Sequence, residues 1–312
     1  MIVLEQNRQK FEMCRIPEWH RAGYKGEGVK ICIMEEGTHG QQVENILWQV
    51  APKAEIEWRR RPGARVSQGS FCPDTKKNFE EFYRELRDDG FNIITHSLGG
   101  HATPEKELLL EELILGKDMI FTTSAGNTGN DIISRRASYM GATFAVGACD
   151  ISPIREPGNL RNIIGWELER KEYSSTGEKV DVYGFAGLYN TRGFEKENVT
   201  AGGYFRGTSC ANPFFTGILA IWLGWRFKKG LGSPDYKAIN WFVNINGERV
   251  DEYGKLARLP SAKEAEFSPL QGRLAQDKLE GKSRSKRQIL RQWGMSEEEA
   301  SVSAVLYEGW FK

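Results

Sequence analysis

No stretch of this 312-residue sequence approaches the roughly 18 consecutive apolar residues of a membrane span. The most apolar window, Phe214 to Trp225, is broken by Thr216 and glycines and reads as a buried helix. No membrane partner is expected. The first twenty residues lack a basic start followed by an apolar run, so no secretory signal is read. An excess of one charge is also missing: 43 basic and 42 acidic side chains leave a net charge of +1. Nucleic acid is therefore not expected as a partner, because its phosphates demand a clear basic excess. The five cysteines, Cys14, Cys32, Cys72, Cys149 and Cys210, are odd in number and have no metal-ligand spacing. Free thiols in a reducing compartment follow, and a cytoplasmic location is the expectation. Histidine is scarce, with only His20, His39, His96 and His101, so any imidazole chemistry has few candidates.

What is present is an alternation of short apolar runs with amphipathic stretches. Val29–Met34, Ala54–Trp58, Phe91–Thr95, Met119–Thr123 and Thr143–Val146 read as strands, and Val180–Tyr183 as a shorter one. Val43, Ile46, Leu47 and Val50 recur at helical spacing, as do Phe79, Phe82, Tyr83 and Leu86. Thr103 and Pro104 open a further helix running to about Leu115. Thr208 to about Phe227 reads as a long buried helix, with a shorter helix from Pro234 and a turn at Asn246-Gly247. From about Asp150 to Glu172 the pattern is lost, and a loop insertion is expected. The alternation predicts an α/β fold, a doubly wound and mainly parallel sheet with helices on both faces. After about Pro260 the composition changes. Residues 273–291 are rich in Lys and Arg, and Ser296 with Glu299 forms a capping box. The domains are read as an N-terminal extension (1–16), a main domain (17–265) and a basic helical C-terminal tail (266–312).

The segment most charged with chemistry is Gly207-Thr208-Ser209-Cys210-Ala211-Asn212-Pro213. A glycine permits a sharp turn, and a serine at the start of a buried helix gains from the helix dipole. An ordinary capped helix start has the same composition. Serine needs a base to take its proton, and His39 stands where the first strand hands over to a helix. An acid must fix the imidazole tautomer. Glu35 ends the first strand, with Glu36 beside it as the alternative. Ser124-Ala125-Gly126-Asn127 follows one buried strand, and Ile94-Thr95-His96-Ser97-Leu98-Gly99-Gly100 spans the end of another.

These segments, in this order, resemble those of the subtilases, the subtilisin-like serine peptidases. Gly207–Pro213 is similar to G-T-S-x-A-x-P, His39-Gly40 to the start of H-G-T-H-V, and Ser124–Asn127 to A-A-G-N. Ile94–Gly100 is similar to the N-M-S-L-G-G strand. Weaker echoes lie in Gly23–Val29, Ala145–Ala148 and Tyr173–Gly177, so the resemblance covers about residues 17–260. It implies a serine endopeptidase acting through an acyl-enzyme, with Ser209 as nucleophile and His39 as general base. Asn127 and the Ser209 backbone N–H would be the oxyanion donors. Ser97, Leu98, Gly99, Gly100, Ser124, Ala125 and Gly126 would hold a polypeptide substrate as an added strand and line its first pocket. His96 takes the place of a family methionine and reads as a packed residue. No cofactor is implied. Calcium is common in the family, but no segment is dense enough in Asp and Asn to assign a metal site.

Two departures stand out. Glu35 occupies the place of the family's Asp, and it lies only four positions before His39, where relatives have a long segment between the two. A tight Gly37-Thr38 turn and a longer acid would compensate for each other. An inactive, peptide-binding or regulatory protein on the same scaffold is the alternative that these departures motivate. An active peptidase without a prodomain would also need restraint, by a narrow cleft, by the tail, or by a protein inhibitor or regulator.

Overall fold

Burial on both faces makes a parallel strand apolar throughout, and such runs build the centre of this protein. Residues 4–35, 37–59, 76–97, 119–130, 143–192, 200–234 and 236–262 of the computed structural model are described. Strands β1 (Lys30–Ile33), β2 (Glu55–Trp58), β3 (Ile93–His96), β4 (Ile120–Ser124), β5 (Thr143–Glu156) and β7 (Val182–Phe185) are parallel, in the order β7-β5-β4-β3-β1-β2. Two-residue strands β10 (Glu248–Arg249) and β11 (Lys255–Leu256) extend the β7 edge. The chain winds from β1 outward to β2, returns to β3 on the other side, and continues away. The sheet is thus doubly wound, with its switch point between the carboxyl ends of β1 and β3.

Strand alternation assigns the two faces. Cys32, Ile94 and Phe121 are register partners, and they pack with Phe82, Tyr83 and Leu86 of helix α4 (Lys76–Asp88). Ile33, Thr95 and Thr122 point the other way, toward helix α5 (Thr208–Lys228), which is buried from Cys210 to Trp225. Helix α3 (Gly37–Val50) lies against α5. Helix α6 (Tyr236–Asn246) follows α5. The expected helices over Val43–Val50, Phe82–Leu86, 208–227 and 234 onward are therefore present. The helix expected over 103–115, together with Leu98, Gly99, Gly100 and Glu36, lies outside the described residues.

Close approach fixes α5 against the sheet. A Cβ on Gly184 of β7 would collide with the backbone carbonyl of Ala211, two residues after Ser209. The neighbour is backbone, so the helix itself would have to move. Gly184→Ala is expected to lower the unfolding free energy by about 1–3 kcal/mol, read as a lower urea midpoint.

The segment expected to be a loop insertion is instead a long antiparallel ribbon. β5 continues to Glu156, turns at Pro157-Gly158 with Gly158 at φ 83°, and returns as β6 (Asn159–Arg170). Ile154, Ile163, Ile164 and Trp166 are exposed on it. Beyond the main sheet both of its faces meet solvent, so no apolar alternation marks it in sequence. A second hairpin pairs β8 (Leu188–Arg192) with β9 (Thr200–Phe205).

Residues before Pro17 pack into the same core. Leu4, Phe11, Cys14 and Ile16 are buried, and Phe11 meets Phe214 of α5 edge-on. Helices α1 (Arg8–Met13) and α2 (Ile16–Arg21) carry them. Lys10 is buried, donating to the carbonyls of Ala186 and Gly187 and pairing with Asp150 at 2.7 Å. The chain divides into two compact units, Met1–Leu259 and Pro260–Lys312. The expected basic tail lies outside the described residues. Among the described residues, no helix is long and apolar enough to cross a membrane.

His20 on α2 is buried, with Nε2 at 2.7 Å from the Val50 carbonyl. Burial pushes its imidazole down from 6.5 to about 4, partly offset by that hydrogen bond. The folded form stays neutral while the unfolded chain takes up a proton below 6.5, so stability is lost as pH falls from about 6.5 to 4. Up to about 3 kcal/mol is at stake. Wild type is expected to lose more urea resistance across that window than His20→Gln, which keeps a donor toward Val50.

Candidate active site

The carboxyl ends of β1 and β3 and the amino end of α5 converge at the switch point, where open α/β sheets bind ligands. Strand β1 delivers Glu35, whose side chain is fully buried. Gly37, at φ 66°, adopts the left-handed backbone that turns the chain straight into α3. His39 is the third residue of that helix. Glu35 Oε2 meets His39 Nδ1 at 2.5 Å, and Glu35 Oε1 accepts the backbone N–H of Ser97. Each carboxylate oxygen has a donor. This pairing holds the imidazole with its proton on Nδ1 and its lone pair on Nε2. The ring of Phe205 stands edge-on to the imidazole, with centroids 5.6 Å apart. His39 remains about one-third exposed, at 32%. Glu35 and His39 are thus hydrogen-bonded to each other.

Ser209 is the second residue of α5, where unpaired N–H groups and the dipole favour negative charge. Its Oγ donates to the Ser97 carbonyl at 3.1 Å. That carbonyl also accepts from Ser124 Oγ at 2.8 Å. Ser97 therefore touches both Glu35 and Ser209: its N–H holds Glu35 and its carbonyl accepts from Ser209. The neighbouring Cys210 is fully buried and its thiol is pushed up to about 12, chiefly by burial. Its thiol is thus kept from the reactive thiolate form.

Asn127 reaches α5 from the loop after β4. Its Oδ1 accepts the Thr208 N–H at 2.9 Å and the Thr208 hydroxyl at 3.0 Å. The amide is exposed and caps α5 with its oxygen, leaving Nδ2 as the donor end. Gly126 N–H returns a bond to Thr208 Oγ1 at 3.2 Å. Gly207, at φ 86°, lies against the Asn127 amide, where a Cβ would sit 3.2 Å from Nδ2. Ala125 is buried and Gly126 half-buried.

Sequence reasoning passed over several supports. The Tyr173 hydroxyl accepts the Gly207 N–H at 3.3 Å, its carbonyl accepts from Gly129 N–H, and Ser175 N–H donates to the Gly126 carbonyl. The root of the β5–β6 ribbon thereby braces both the Asn127 loop and the turn before Ser209. The only signal was the short Tyr173–Gly177 echo. His96 is the half-buried last residue of β3. Among the described residues, no group of three or more His, Cys, Asp or Glu is placed to hold a metal. The described cysteines, Cys14, Cys32, Cys149 and Cys210, are free and buried.

No protein-family profile matches the chain, and no curated protein matches it significantly by sequence. Solved structures do. A lanthipeptide protease superimposes with a TM-score of 0.58 at 15% identity, over 85% of this chain and 96% of that one. Fervidolysin from Fervidobacterium pennivorans, a keratinolytic enzyme related to subtilisin, gives 0.57 at 17% identity, over 80% of this chain and 44% of its own. The prenylagaramide maturation protease PagA gives 0.54 at 14%, over 84% and 98%. The fold is that of the subtilisin-like proteases.

Proposed function

We propose that the chain is a serine endopeptidase that hydrolyses a polypeptide substrate through an acyl-enzyme on Ser209. One observation carries the reading: the hydrogen-bonded Glu35–His39 pair and the Ser209 hydroxyl meet on the two sides of one residue, Ser97, at the sheet's switch point. In this mechanism Ser209 Oγ turns from the Ser97 carbonyl to His39 Nε2, which takes its proton as Oγ attacks the scissile carbonyl carbon. Glu35 stabilises the imidazolium. The oxyanion is held by Asn127 Nδ2 and the Ser209 N–H. The C–N bond then breaks, with the proton passing from His39 to the leaving amine, and water repeats the sequence to free the acid. Ser97, Ser124, Ala125 and Gly126 flank the substrate. The protein neighbours with this fold are proteases, two of them a lanthipeptide protease and a maturation protease. A cytoplasmic location, restraint by a protein inhibitor or regulator, and no need for a cofactor belong to the same reading.

A fluorophosphonate probe tests it directly. Labelling of the folded protein, mapped by mass spectrometry to the peptide containing Ser209, is expected, and a folded protein that takes up no label sinks the reading. Asn127→Ala is expected to lower kcat about 10²–10³-fold with KM little changed. It also removes the α5 cap, at about 1 kcal/mol of stability.

One observation favours a second reading, a peptide-binding module without turnover. The Ser209 hydroxyl rests on the Ser97 carbonyl and not on the imidazole. Tight binding of peptides that stay intact on prolonged incubation would decide for it.

A further inference from the structure

Helix α5 carries a polar side chain where packing alone asks for none. Asn212 lies three residues after Ser209, one turn along, and is fully buried. Its Nδ2 donates to Thr95 Oγ1 at 3.0 Å and to Ser97 Oγ at 3.1 Å. Its Oδ1 is buried without a hydrogen-bond partner. The amide's orientation is set by its surroundings. Thr216 Oγ1 donates to the Asn212 carbonyl at 2.9 Å. That commits its proton, so Thr122 and Thr95 supply theirs to Thr216 Oγ1, at 2.7 and 3.3 Å. Thr95 Oγ1 is left as an acceptor, which only Nδ2 satisfies.

Strand β3 ends at His96, and its last ladder partner is Thr123. Ser97 lies one residue beyond the ladder, yet every polar group it has is engaged. Its N–H holds Glu35, its carbonyl holds Ser124 and Ser209, and its hydroxyl holds Asn212. We propose that Asn212 is a positioning residue for the reaction: acting through the Ser97 hydroxyl, it fixes the peptide that aligns Glu35 and Ser209. The buried Oδ1 finds no partner, a desolvation cost that an apolar filler would not carry. Such costs collect at functional sites, where alignment is what they maintain.

This inference rests on the proposed peptidase reading, and the test separates the two. Wild type, Asn212→Ala, Ser97→Ala and the double variant are titrated with a fluorophosphonate, resolving the maximal inactivation rate from the probe's binding constant, alongside thermal melting. A folded wild type that takes no label overturns both the reading and the inference. With wild type labelled, Asn212→Ala is expected to slow the maximal rate about 10–100-fold with the binding constant unchanged; the melting temperature falls as well, since Thr95 Oγ1 loses its donor. Ser97→Ala is expected to slow the maximal rate in the same way. The double variant is expected to be no slower than the worse single one, since both remove one coupling. An unchanged rate in Asn212→Ala, or additive losses in the double variant, overturns the inference with the peptidase reading intact. If Asn212→Ala fails to fold, Ser97→Ala decides alone: an unchanged rate overturns the proposal.

Discussion

Ser209→Ala is expected to lower kcat about 10⁶-fold while leaving the fold in place. The loss is large because the proposed mechanism runs through the Ser209 hydroxyl. Cys210 is buried with its thiol held protonated, and His39 with Glu35 then has no hydroxyl to deprotonate. Residual turnover would come from the oxyanion donors and from substrate binding alone. Stability should change by less than about 1 kcal/mol, because the half-buried Oγ makes one bond. The Ser97 carbonyl it leaves behind still accepts from Ser124. Steady-state cleavage of a peptide library, with circular dichroism to verify folding, measures both. Retained activity in this variant would remove Ser209 from the mechanism.

Glu35→Gln is expected to cost about 10⁴-fold in kcat, and the geometry says why. The carboxylate faces two donors, the Ser97 N–H on Oε1 and His39 on Oε2. A glutamine has one acceptor. The Ser97 N–H is backbone and cannot rotate away, so the amide oxygen must face it and the NH₂ must face Nδ1. His39 then accepts at Nδ1, and its proton moves to Nε2. The ring sits in the same place and can no longer take a proton from Ser209. The signature is a large fall in kcat with little change in KM or in melting temperature. A loss of only a few-fold would mean that Glu35 does not set the tautomer. The same reasoning explains why one more methylene than aspartate suits this site. The acid stands two residues past the end of β1 and two residues before the helix that carries His39.

Much of the architecture was legible because burial leaves a period in the sequence. The runs around Ile31, Ile93, Phe121 and Phe144 are apolar on both sides, as strands covered by helices must be, and they became adjacent parallel strands. Phe82, Tyr83 and Leu86 marked one covering helix and Phe214 to Trp225 another. The β5–β6 ribbon was missed for the converse reason. A two-stranded arm with solvent on both sides carries Arg155, Glu156, Arg161, Glu167 and Glu169 among its isoleucines, and no face of it needs to be apolar.

The sequence by itself determined the chemical groups and the order in which they arrive: an acid and a histidine four residues apart, a Gly-Asn after a buried strand, and a serine opening a buried helix. Those are local patterns, each imposed by a strand end or a helix start. Only the tertiary structure decided how they are joined. Glu35 is held by Ser97, which lies 62 residues away. Ser97 is in turn bound to Ser209, a further 112 residues on. Asn127 commits its oxygen to Thr208 across a separation of 81. No periodicity encodes a hydrogen bond over such distances. It arises because the doubly wound sheet brings the ends of β1, β3 and β4 to one edge and α5 points its amino terminus at them.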